Sequence, residues 1–177
     1  ETALVFETIE CIYRSDKATK PFNEALEGLR NRIDLYERIA ALPGLNTLQT
    51  TEIVHHKGKS LALVGQLEEA NVCFETVLKG PHPLYESRLQ LVKVFNRLKR
   101  RPEAIAQAVE VMNAAAADPH AVSNSVTLAT ICAVPSGPER DKFMETYADV
   151  AEREILIAGD VGLAQAFESF VAVSRSW

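Results

Sequence analysis

Apolar residues in this chain return every three or four positions, in one stretch after another. That period constrains the fold more than any other feature. In "FNEALEGLRNRIDLYERIAAL", Phe22, Leu26, Leu29, Ile33, Tyr36 and Ile39 form one stripe. In "YESRLQLVKVFNRLK" the stripe is Tyr85, Leu89, Val92, Phe95 and Leu98. In "PERDKFMETYADVAEREILI" it is Phe143, Tyr147, Val150 and Ile157, interrupted by Glu154. A single apolar stripe at this spacing specifies an amphipathic helix whose stripe must be covered by another helix. No strand-like alternation bounded by turn residues competes with it. The chain reads as all-α.

The punctuation agrees. Pro21, Pro102, Pro119 and Pro138 each open a helical pattern, where a missing N–H is no loss. Asn46 with Gln49, and Ser136 with Glu139, have capping-box spacing. Gly159 followed by Asp160 reads as one helix ending and another being capped. The spacing predicts nine helices, near 2–15, 21–42, 46–64, 67–79, 84–98, 102–117, 119–133, 138–157 and 160–174. "VPSGPE", Val134 to Glu139, is short enough for a loop between helices.

A length of 177 residues is enough for one domain with a core. Hydrophobic residues at 47% and charged residues at 24% suit a soluble globular protein. No apolar run approaches the ~18 residues of a membrane span. The acidic start "ETALVFETIECIYR" lacks a signal peptide's basic opening and an initiator methionine. A piece of a longer cytoplasmic protein is expected. Cys11, Cys73 and Cys132 are odd in number and widely spaced. Small core residues in a reducing compartment are expected, with no disulfide framework or zinc site.

Helical pairs joined by tight turns invite a search for a repeat. Counting from Thr51, Gly58 falls on position 8, Leu61 on 11, Gly65 on 15 and Leu67 on 17. Ala70 falls on 20, Phe74 on 24, Val77 on 27 and Leu78 on 28, with Pro81 and Pro83 around 32. This stretch resembles the tetratricopeptide repeat, a helical hairpin of 34 residues. Gly58 and Ala70 are read as small where two helices approach, and Gly65 as a helix end. One period on, from Tyr85, Leu91, Phe95, Ala104, Ala108 and Val111 take positions 7, 11, 20, 24 and 27. This copy departs at Val92 (position 8) and Lys99 (position 15). A third hairpin, about 139–174, is hinted at by Gly159 and Ala164, although Glu168 suits position 24 poorly. The resemblance implies tandem antiparallel hairpins stacked as a right-handed solenoid. Residues 46–118 are its hairpins, flanked by non-repeat helices in 1–45 and further helices in 119–177.

"GKS" at Gly58-Lys59-Ser60 ends a P-loop, but the first glycine of the motif would be residue 53, which is Ile53. His55 and His56 point about 100° apart on a helix, and His82 and His120 lie beside prolines. Neither pattern holds a metal. Glu68-Glu69 suits a helix start. No cofactor or catalytic set emerges.

Net charge is −5, but residues 85–101 hold six basic side chains against Glu86 alone, and 102–177 hold four against eleven. The overall acidity argues against nucleic-acid binding. Lys99, Arg100 and Arg101 form a basic turn, which reads either as solvated or as a contact point for an acidic partner or a phosphate backbone. In the resembled family the ligand-facing positions 2, 5, 9, 12 and 13 line a concave wall. These are Glu52, His55, Lys59, Ala62 and Leu63 in the first copy and Glu86, Leu89, Lys93, Asn96 and Arg97 in the second. The resemblance implies a non-catalytic module that binds a peptide or protein on this wall, and Lys59, Lys93 and Arg97 there suit a partner with acidic groups. Two alternatives stay open: a regulatory segment of a signalling ATPase or transcription regulator, and a self-associating scaffold.

Overall fold

The computed structural model describes residues 22–118 and 121–158. Among them the chain is helical, with seven helices and no strand. These are α1 (Phe22–Ala40), α2 (Thr47–Val64), α3 (Leu67–Lys79), α4 (Tyr85–Arg97), α5 (Arg101–Ala117), α6 (Asn124–Ala133) and α7 (Pro138–Ala158). The expected helices near 2–15 and 160–174, and the part of the third hairpin from Gly159 on, lie outside the described residues. The chain divides into two compact units, Glu1–Ser87 and Arg88–Trp177. No helix among the described residues is long and apolar enough to cross a membrane.

In the first unit α2 packs against both α1 and α3. Asn46 starts α2 with the expected capping box. Its Oδ1 accepts from the Gln49 N–H at 2.8 Å, while its own N–H donates to Gln49 Oε1 at 3.0 Å. Two of the helix's orphan donors are thereby satisfied. The α1–α2 seam closes on Tyr36 and Ile53, both buried, with Leu35, Ile39 and Leu45 around them. The α2–α3 seam turns on Gly58. A Cβ there would lie 2.9 Å from the Phe74 ring and 3.0 Å from Cys73 Cβ. Ala70 and Phe74 have no exposed surface. Burying a phenylalanine this fully contributes about 1.5–3 kcal/mol.

In the second unit α5, α6 and α7 pack against one another. Their core includes Ala104, Ala108 and Val111 of α5, Ile131 of α6, and Phe143 and Tyr147 of α7. Thr127 and Thr130 are buried in α6 because their hydroxyls donate to the Ser123 and Val126 carbonyls. One expected helix start and one expected cap are corrected. The helix expected over 119–133 begins at Asn124, where Ser123 accepts from the Val126 N–H and serves as N-cap. And α7 begins at Pro138, so Gly137, not Ser136, immediately precedes it, and the Glu139 carboxylate accepts from Arg101. Cys73 and Cys132 form no disulfide and are partly exposed where burial in the core was expected.

The turns within the two units share one geometry, 34 residues apart. Gly65 ends α2 at φ 93°, and Lys99 follows α4 at φ 59°. The Gly65 N–H donates to the Ala62 carbonyl at 3.3 Å and the Gln66 N–H to Leu61 at 3.0 Å. Correspondingly, Lys99 N–H donates to Asn96 at 3.1 Å and Arg100 N–H to Phe95 at 2.8 Å. Both are left-handed C-terminal caps of the Schellman type. Burial follows the same phase, since Ala70, Phe74 and Val77 match Ala104, Ala108 and Val111, none more than 2% exposed. The lysine at position 15 therefore adopts the glycine conformation without a glycine.

This geometry predicts three stability changes, each read by urea unfolding. Gly58→Ala destabilises by about 1–3 kcal/mol through overpacking, against the roughly 1 kcal/mol that alanine gains in an open helix. Gly65→Ala destabilises by about 1 kcal/mol, because the left-handed region strains any Cβ. Lys99→Gly relieves the same strain and raises stability by up to about 1 kcal/mol.

Candidate functional site

His55, Glu86 and Lys59, expected on a ligand-facing wall, meet in the first unit where the middle of α2 faces the first turn of α4. His55 is buried at 2% exposure. Its Nδ1 lies 2.7 Å from the Ser87 hydroxyl, which is fully buried. Its Nε2 lies 3.6 Å from Glu86 Oε1, a contact longer than a hydrogen bond. Lys59 Nζ approaches the same oxygen at 3.5 Å. The ring packs edge-on against Phe74 and His56, with centroids at 5.7 and 5.4 Å, and His56 stacks on Tyr36 at 6.2 Å.

An anionic Glu86 calls for an N–H on Nε2. In the neutral ring Nδ1 then accepts from the Ser87 hydroxyl; in the imidazolium it donates. Glu86 is held down to about 2. The main cause is the His55 ring directed at it; partial burial opposes this, and the charges of His55 and Lys59 add. Serine, histidine and glutamate in series have the composition of a hydrolytic relay. With no exposed surface, Ser87 offers a substrate no approach, so the series acts as a tie between α2 and α4.

Of the other wall residues in this unit, Glu52 and Ala62 are half-buried and Leu63 is exposed. In the second unit Leu89 is buried at 5%, a core residue. The Asn96 amide donates to the Ala133 carbonyl and so holds the end of α6. Lys93 and Arg97 are exposed one turn apart on α4. Of the basic turn, Lys99 is exposed and carries the left-handed cap. Arg100 sits 4.8 Å over the Phe95 ring and 2.9 Å from Glu103. Arg101 pairs with Glu139 at 3.0 Å. These pairs hold Glu103 and Glu139 below the usual carboxylate range. For Glu103 the Arg100 hydrogen bond leads. For Glu139 its own backbone N–H leads and Arg101 follows. Among the described residues no three His, Cys, Asp or Glu side chains converge as a metal site.

Ser87 is the participant that sequence reasoning missed. A serine in the first turn of a helix is ordinary, and only the fold brings it to His55, 32 residues away.

Ser87→Ala and His55→Leu are each expected to lower stability by about 1–3 kcal/mol, since either leaves a buried polar group alone. The double variant should fall short of their sum by at least about 0.5 kcal/mol. Additive losses in urea titrations would show that the two side chains are not coupled. Glu86 is depressed from 4.5 to about 2, so its contribution is complete above pH 4.5 and fades as pH falls toward 2. Glu86→Gln should be less stable than the parent at pH 7, by under about 1 kcal/mol for so exposed a carboxylate. That gap should close between pH 4.5 and 2 in thermal melts.

Comparison with protein-family models, with curated proteins and with solved structures returns no match to this chain.

Proposed function

We propose that this chain is a protein–protein interaction module of tetratricopeptide-like hairpins stacked as a right-handed solenoid, which binds an acidic peptide or protein segment without catalysis. The observation that carries the reading is the left-handed turn that recurs at 34 residues with the same two capping hydrogen bonds. A hairpin unit repeated in phase is the architecture of binding arrays, whose first helices present side chains to an extended ligand.

The first-helix cations differ in exposure. Lys59 is engaged by Glu86. Lys93 and Arg97 are exposed at i, i+4 spacing, so their side chains share one face of α4. Charge-assisted hydrogen bonds from such a pair suit carboxylates spaced along a peptide.

A peptide array that varies acidic content tests this directly. Acidic sequences should bind in preference to neutral ones, and Lys93→Glu/Arg97→Glu should weaken them roughly tenfold, about 1.4 kcal/mol. Equal binding by parent and variant would remove the α4 face from the proposal.

A further inference from the structure

The first unit carries a second concave surface, on a different side of α2 from the His55 junction. It is a groove of about 830 Å³ bounded by α1, α2 and α3, within the roughly 300–1,000 Å³ typical of ligand sites. Its apolar part includes Ile33 from α1, Leu61 and Val64 from α2, and Val72 from α3. Val72 is 63% exposed, an apolar side chain with nothing over it among the described residues. The Cys73 thiol also lines the groove, and burial pushes its pKa up.

The charges around the groove are unequal. Lys57 and Glu37 neutralise each other at 2.7 Å. Arg30, Asp34 and Glu69 remain, and among the described residues none of these three has an ion-pair partner. Two carboxylates, Asp34 on α1 and Glu69 on α3, therefore outnumber the one guanidinium, Arg30 on α1, around an apolar floor. We infer that this groove docks an amphipathic helix of a partner protein, its aliphatic side on Val72 and Leu61 and a lysine or arginine reaching Asp34 and Glu69. Helix-in-groove binding takes its affinity from the apolar anchors, and the flanking charges set the preferred partner. The partner's charge is opposite to that proposed for the α4 face, and the two surfaces share no residue.

Cys73 supplies a reporter at the site itself. In the full chain carrying Cys11→Ser and Cys132→Ser it is the sole thiol. Its rate of modification by a maleimide is followed with two ~14-residue helical probes, about 20 Å long, one built of leucine and lysine and one of leucine and glutamate. The leucine–lysine helix should slow modification at least fivefold, and the leucine–glutamate helix should leave it unchanged. Asp34→Lys/Glu69→Lys should abolish the protection, as should Val72→Glu, and all three substitutions fall on exposed positions that leave the helical circular dichroism intact. Lys93→Glu/Arg97→Glu should not affect it, which separates this surface from the α4 face. An unprotected thiol, equal protection by both helices, or protection that survives Asp34→Lys/Glu69→Lys would each overturn the inference.

Discussion

The missing side chain at Gly58 is the constraint on which the first unit depends. Helices α2 and α3 approach so closely that even a methyl group would meet Phe74 and the Cys73 Cβ. That approach seats the Phe74 ring between the helices and against the edge of His55. His55 is thereby set toward the first turn of α4, where the Ser87 hydroxyl lies 2.7 Å from Nδ1 and Glu86 Oε1 lies 3.6 Å from Nε2. A packing decision made by one glycine thus becomes a polar connection to the next helix. Close-packed interiors transmit volume changes in this way because they have little free space to absorb them.

Charge follows a similar logic. The basic segment 85–101 stands out in the sequence, yet much of it is answered within the molecule. Arg100 has Glu103 and the face of Phe95, and Arg101 has Glu139. Arg88 reaches Gln107 at 2.9 Å and Glu110 at 3.8 Å. The acidic excess of 102–177 supplies these partners. Surface pairs of this kind contribute little individually. Among the described residues, Lys93 on α4 and Asp34 and Glu69 beside the groove are exposed and take part in no such pair.

The helices were legible because the apolar period and the caps are local. Asn46 and Gln49 are three residues apart, and their reciprocal bonds require nothing beyond the first turn of α2. The start of α6 was misjudged because a proline at 119 and a serine at 123 are both acceptable openings. The site was less legible. Family positions placed His55 and Leu89 on a ligand-facing wall, whereas both are buried, and Asn96 spends its amide on the carbonyl of Ala133. Position within a repeat specifies a direction from the helix axis. Whether that direction meets water or another helix depends on what has packed there.

By itself, then, the amino-acid order determined the secondary structure, the hairpin spacing and the small residues at the helix crossing, since each depends on neighbours within one or two turns or on a simple period. The 34-residue recurrence was visible too, except that Lys99 hid its last glycine position, because backbone conformation can be imposed on a residue that does not favour it. Tertiary structure alone decided which polar residues are ties and which are open. Ser87 and His55 are 32 residues apart and become a buried pair only when α2 and α4 are brought together. Asp34 and Glu69 become the open carboxylates of one groove only because α1 and α3 pack on the same helix. Such pairings depend on distances through space, and no local pattern of residues encodes them.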